Sequence, residues 1–340
     1  MAEGDQGFRH SGTGMRGGRR TFLTAAAAAV ALANRPTRAQ AFPDRPLRFV
    51  VPYAPGGSTD TSSRIVAEKL AQILGQPMVV ENKAGGGTII GTEHVARAKP
   101  DGYTLLLSPA ALIANAAFGV KVPYDIDKDL VPVIGFVDLA VLLAATNDAP
   151  FKSVAELIAY ARAEPNRTIP YASAGVGSLT HLWGEYVKAR MKLPLEHVGY
   201  KGSAEALKDV MAGHVPLFSD VLVPTATAIR AGKVRGLAVA TKERVSLLPD
   251  VPTVGEAGLS GTECTIPFGV SVPAGTPPEI VLRLNSAFNQ ALGDPVIRQK
   301  LTDLGFLPVG GAPRAYSEVV AGEIAKWRQV ITESNIPAPN

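Results

Sequence analysis

Leu47, Phe49, Val50 and Val51 form a short apolar run that stops at Pro52, and a few residues later the apolar spacing becomes helical. Val66, Leu70, Ile73 and Leu74 stand at i, i+4, i+7 and i+8, with Gly75 and Pro77 as a stop signal. The pattern predicts a strand buried on both faces, a turn over Pro55-Gly56-Gly57-Ser58-Thr59-Asp60, and a helix capped by Ser58 or Thr59. A strand over residues 78–81, a helix over 89–98 and a strand over 103–107 follow. Strands alternating with helices in this way give βαβαβ, hence a parallel, doubly wound sheet.

The apolar stretch over 131–146 is longer than one strand needs, and it reads as a strand leaving one domain for a second. Ser153 with Glu156 forms a capping box for a helix ending near Pro165. The opening logic then repeats. Residues 169–172 are a strand, Ser173-Ala174-Gly175-Val176-Gly177 a small-residue loop, and Ser178 the cap of a helix with Leu179, Leu182, Trp183, Tyr186 and Val187 on one face. A third unit has a strand over 195–199, the loop Tyr200-Lys201-Gly202 and Ser203 as cap of a helix stopping at Gly213. Strands are expected over 215–219, with Asp220 at its end, over 235–240 and over 268–272. Pro277-Pro278 opens a helix through Leu292, and a closing helix covers 316–331.

A glycine loop at the carboxyl end of a strand, with a helix behind it, presents free N–H groups to a small anion. An ordinary β–α turn with a good cap has the same appearance, and the opening loop taken singly leaves both readings open. Gly85, Gly87 and Gly91 suggest a nucleotide loop, but the spacing is wrong for one, and a second helix-capping turn accounts for them better.

Charge and targeting narrow the function. Arg19-Arg20-Thr21-Phe22-Leu23, the apolar run over 25–33 and Ala39-Gln40-Ala41 read as a twin-arginine-like export signal cut after Ala41, leaving a periplasmic protein. The general export route and a start at Met15 stay open. Six of the 34 basic and two of the 30 acidic residues fall in those 41 positions, so 28 of each remain and the mature chain is formally neutral. The basic character thus belongs to the signal, and nucleic-acid binding is not expected. The single cysteine, Cys264, makes no intramolecular disulfide. The five histidines lack metal-ligand spacing, so neither a metal nor another cofactor is expected. Ser178, His181 and Asp220 superficially suggest a hydrolytic triad. Ser178 and His181, however, would share one helical turn and no G-x-S-x-G elbow exists, so no catalytic residue and no enzyme is expected.

The segments PYAPGGSTD, ENKAGGG, PDGYTLLL, YASAGVGSLTH, HVGYKGSAEAL, KERVSLLPDVPTVGEAG and VPAGTPPEIVLRLN together resemble the Bug/TctC family, from about Phe42 to the C-terminus. These are exported solute-binding proteins of tripartite tricarboxylate transporters. The resemblance implies an α/β fold of the type II periplasmic-binding-protein kind, a Venus flytrap of two domains, each a mostly parallel sheet flanked by helices. The expected domains are 42–143 plus 268–340, and 144–267. It also implies ligand carboxylates held by the loops, at Tyr53, Pro55, Gly56, Gly57, Ser58 and Asp60 in one domain. In the other the positions are Ser173, Ala174, Gly175, Gly177, Ser178, Thr180, His181, Tyr200, Lys201 and Asp220. Two departures, Pro267-Phe268-Gly269 where many relatives carry Trp and Gly199 where Pro is common, touch the expected pocket edge.

The expected protein is a monomer that captures a small carboxylate, of the di- or tricarboxylate, amino-acid or aromatic-acid type, for membrane transporter subunits. A ligand-dependent sensor partner of a membrane kinase and an exported enzyme are the alternatives. Neutral donors suit the task, because an ion pair would have to shed two hydration shells.

Overall fold

The computed structural model describes residues 1, 4, 7, 42–164 and 167–338; the arginine pair, the apolar run and the cleavage point of the expected export signal lie outside them. The opening unit forms as its pattern dictates: β1 (Leu47–Val51), α1 (Ser58–Leu74) and β2 (Met78–Asn82), with Gly75 ending α1 in the left-handed conformation. A single 3-10 turn over Gly86–Thr88 leads into α2 (Ile89–Ala96), and β3 (Thr104–Ser108) follows, buried along its whole length. Both β2 and β3 pair with β1 in parallel, which completes the expected βαβαβ unit.

The caps differ from expectation at two helices. Gly57, not Ser58 or Thr59, is the N-cap of α1, and no side chain caps it. Ser203 likewise is the first residue of its helix, α6 (Ser203–Met211), with Gly202 at the cap. In each case a glycine takes the turn position and leaves the serine one step inside the helix, and Ser203 there donates to Asp220 instead.

After α3 (Ala111–Phe118), a helix the apolar pattern did not announce, the chain enters β4 (Leu130–Thr146), a 17-residue strand that joins the two halves of the sheet. Its early part pairs antiparallel with β9 (Thr265–Pro273) and β10 (Phe306–Gly310). Its later part pairs antiparallel with β7 (Leu217–Val221) and β8 (Val234–Val239). Register shifts in the β4–β9 ladder fall between Pro132 and Ile134 and between Gly135 and Val137. Such bulges let one long strand twist from one half to the other.

The second half holds α4 (Val154–Ala163), capped by Ser153 as expected, then β5 (Ile169–Ala172), α5 (Leu179–Met191), β6 (Leu195–Val198), α6, β7, α7 (Leu222–Arg230) and β8. β5 pairs in parallel with β6 and β7. β7 is displaced by two residues from its expected place, so Asp220 lies inside the strand opposite Leu142 rather than at its end. The chain returns through β9, α8 (Pro278–Gly293), α9 (Pro295–Asp303), β10 and α10 (Pro313–Glu333). The strand order β2-β1-β3-β9-β4-β7-β5-β6, with β8 and β10 also on β4, is a mixed sheet flanked by helices, parallel at its two ends and antiparallel where β4 and β9 cross.

Each half has its own core. In the first, Phe49 of β1, Phe136 of β4 and Phe288 of α8 are fully buried and meet edge to face, with ring centroids 5.9–6.3 Å apart. Such pairs add about 0.5–1.5 kcal/mol each beyond their area. In the second, Ala144, Phe218, Leu222, Ala226 and Val239 form a buried cluster between sheet and helices.

Candidate functional site

A cavity of about 490 Å³ lies where the two halves meet. Of the expected site residues, Tyr53, Ala174, Gly177, Ser178, Thr180 and Asp220 line it. The remaining wall is supplied by Gly87, Ala110, Ala111, Ala114 and Asn115 from the first half, Val176, Leu179, Ser203 and Val221 from the second, and Leu139, Ile266 and Phe268 from the crossing strands. Phe268, at one of the two departures flagged in the sequence, thus forms part of the wall, its ring 6.3 Å from that of Tyr53.

The loop after β5 is built to hold one shape. Gly175 has φ +135° and a Cβ there would stand 2.7 Å from the Tyr200 carbonyl oxygen, so only glycine fits. Ser178 Oγ accepts the His181 N–H at 3.1 Å, which makes it the N-cap of α5, and donates to the Gly175 carbonyl at 2.7 Å. Its proton is therefore committed within the loop. With the Ser178 proton on Gly175, Thr180 Oγ1 is the donor in its 3.0 Å bond to Ser178 Oγ and accepts from Ala174 N–H at 3.3 Å; because Thr180 lines the cavity, a ligand oxygen there competes with Ser178 Oγ for that proton.

Behind this loop lies a buried polar layer. His181 Nδ1 accepts the Gly177 N–H at 3.2 Å, so the neutral ring carries its proton on Nε2. His181 stacks on His197 at 3.8 Å between centroids, and Ser173 Oγ lies 2.8 Å from His197 Nε2. Burial pushes both imidazoles down to about 4, helped at His197 by the neighbouring His181, so both are neutral at pH 7. Tyr171 donates to Glu185 at 2.8 Å beneath them. Ser173, Gly175 and His181 accordingly support the lining instead of forming it.

The loop before α1 behaves differently. Pro55, Gly56 and Gly57 are exposed, and neither they nor Ser58 and Asp60 line the cavity. Asp60 accepts from Gly56 N–H at 2.9 Å, Arg64 Nε at 3.0 Å and Asn82 Nδ2 at 2.9 Å, and Asn82 also donates to the Tyr53 carbonyl. Burial would raise the Asp60 carboxyl, but these hydrogen bonds outweigh it and hold it below the usual carboxylate range. Its oxygens tie the loop back onto β2. Tyr200 and Lys201 also stand outside the lining: the Tyr200 hydroxyl donates to Asp209 at 2.9 Å, and Lys201 is exposed.

What the sequence missed is the number of helices that begin here. Ala110 and Ala111 open α3, Ser178 and Leu179 open α5, Ser203 opens α6, and Val221 is the cap of α7. Each helix start carries up to roughly half a positive charge. Among the described residues, no Lys or Arg lines the cavity, and Asp220 is its one carboxyl. Asp220 is fully buried, accepts from Ser203 Oγ at 3.0 Å, and is pushed up to about 6 by burial. The alanines of α3 gave no signal, since no polar side chain caps that helix.

The geometry fits a family. Residues 62–336 match the family model TctC, described as the tripartite tricarboxylate transporter family receptor. A curated relative from a Pseudomonas species, a UPF0065 protein in the tcbD-tcbE intergenic region, is 39% identical over 94% of this chain and 96% of its own length. Among solved structures, a Rhodopseudomonas palustris protein with adipate is 36% identical, covering 87% of this chain and 99% of that one, with a TM-score of 0.75. MatC from Rhodopseudomonas palustris, with bound malate, is 36% identical, covering 85% and 100%, with a TM-score of 0.70.

Proposed function

Since the chain belongs to the TctC family of tripartite tricarboxylate transporter receptors, we propose that it is a periplasmic solute-binding protein that captures a small carboxylate and delivers it to membrane transporter subunits. The family is one of binding proteins, not enzymes. One observation carries the ligand reading. Four helices begin at a cavity that no Lys or Arg lines among the described residues, and this arrangement favours an anion held by neutral donors. The relatives with adipate and malate support a carboxylate as that anion. Leu139, Ile266 and Phe268 give the lining an apolar part, which suits a hydrocarbon body beside the carboxylate.

Residues 42–143 with 268–340 would form one lobe and 144–267 the other, closing on the ligand about β4 and β9 near residues 142–146 and 267–270. Export with cleavage after Ala41 places the protein in the periplasm, and among the described residues no helix is long and apolar enough to cross a membrane. Mass spectrometry of small molecules retained by the natively purified protein, followed by calorimetric titration with adipate, malate, benzoate and glutamate, tests the reading. At least one acid should bind while its amide analogue does not. Binding of the amides as well as the acids would overturn it.

A further inference from the structure

The cavity's positive helix ends already have one anion available to them, and it belongs to the protein. Asp220 lines the cavity with no exposed surface, Oδ1 is taken by Ser203, and Oδ2 is shielded from solvent without a hydrogen-bond partner. We propose that Asp220 is a specificity residue that must itself be the neutral acid when a ligand carboxylate binds, so that each ligand bound brings one proton from solvent into the site. The inference rests on the carboxylate reading given above.

Two like charges in one cavity do not both persist unless a cation stands between them. Among the described residues none does. On β4 the one acid, Asp138, accepts from Thr265; on β5 Tyr171 donates to Glu185. On α5 the His181 ring is neutral and accepts from Gly177, Lys188 pairs with Glu185, Tyr186 donates to Gly261, and Arg190 is exposed. On α6 Asp209 accepts from Tyr200 while Glu205 and Lys208 are exposed, and on α7 Arg230 is exposed. Across the cavity, burial raises the Tyr53 hydroxyl, which stays neutral. No ionic partner therefore holds Asp220 charged, and burial raises its carboxyl before any ligand arrives. A carboxylate beside it raises it further, and the protonated acid keeps its bond from Ser203. Because Ser203 donates to Oδ1 while Oδ2 has no partner, the proton belongs on Oδ2.

The test is titration calorimetry of the full mature protein with adipate, or with malate should adipate not bind, from pH 6 to 8.5 in pairs of buffers that differ in ionisation enthalpy. The ligand's own carboxyls titrate below that range. Close to one proton should be taken up per ligand at pH 8, about half at pH 6, and Kd should rise toward tenfold per pH unit above pH 7. Asp220→Asn, which offers an amide where the acid stood, should bind with little pH dependence and at least tenfold more tightly than the wild type at pH 8. Binding by the wild type with no proton uptake at pH 8 overturns the proposal, as does an Asp220→Asn variant that is folded but weakened tenfold or more, since Asp220 would then act as an ionised acceptor for a ligand hydroxyl or ammonium. Failure of every carboxylate to bind at any pH defeats the underlying reading instead, and this proposal with it.

Discussion

The loops before α1 and α5 look alike in sequence, glycine-rich with a hydroxyl near the helix start, yet they do opposite work. The loop before α5 commits Ser178 to the cap and turns its backbone and Thr180 to the cavity. The loop before α1 has no side-chain cap and is drawn back by Asp60 toward Arg64 and Asn82, leaving its glycines exposed. The difference teaches that glycine content does not by itself make an anion site: both loops spend N–H groups on their own side chains, Gly56 on Asp60 in the first and Ala174, Gly175 and Gly177 on Thr180, Ser173 and His181 in the second, and only the second lies against the cavity. In the first loop the carboxylate that binds the backbone is internal.

The comparison breaks most sharply at the glycines. Gly175→Ala places a Cβ against the Tyr200 backbone at a φ of +135°, and backbone strain of this kind costs roughly 1–3 kcal/mol before the collision is counted. Affinity for the carboxylate that titration identifies should weaken by about a hundredfold or more in calorimetry. Gly56→Ala, with φ +84° but open space around it, should lower the melting temperature while changing affinity by less than about threefold. Thr180→Val comes next. It removes the hydroxyl proton that a ligand oxygen can draw away from Ser178 Oγ, and a hydrogen bond to a charged group contributes roughly 1.5–3 kcal/mol, so about ten- to a hundredfold in Kd is expected.

Much of this was legible in the chain. The spacing of Val66, Leu70 and Leu74 and the Ser178 cap act within one helix, so sequence records them directly. β4 was legible as a long apolar run because both its halves are buried. α3 was not, since alanines without a polar cap carry no boundary signal, although its first turn helps to make the site. The Asp294 cap and Pro295 of α9 did carry such a signal and went unread. Asp60 was misleading for a physical reason: a carboxylate at a helix start binds N–H groups as well from within as a ligand does from outside.

The two aspartates should also answer pH in opposite directions. Asp220 is raised in the folded protein, so its contribution is fully present below the unfolded value near 3.8 and is lost as pH rises through about 6. Asp220→Asn should therefore be more stable than the wild type by roughly 2–3 kcal/mol at pH 8, an advantage that disappears by pH 4 in urea unfolding. Asp60 is held low, so its contribution is present above 3.8 and is lost as pH falls through its folded value. Asp60→Asn should cost roughly 1–2 kcal/mol at pH 7 and progressively less below pH 4, with ligand affinity reduced less than about tenfold.

The smallest effect is the most diagnostic. Lys201 is the one basic side chain among the expected loop positions, and it stands exposed outside the lining. A screened rim charge contributes little, so Lys201→Ala should change Kd by less than about threefold, with a small salt dependence. Calorimetric titration of the carboxylate that the wild type binds into Lys201→Ala and Thr180→Val at low and moderate salt tests the neutral-donor account most directly. The account predicts near wild-type binding for the first and a ten- to hundredfold loss for the second at both salt concentrations. Loss of binding in Lys201→Ala, with Thr180→Val unaffected, would contradict it.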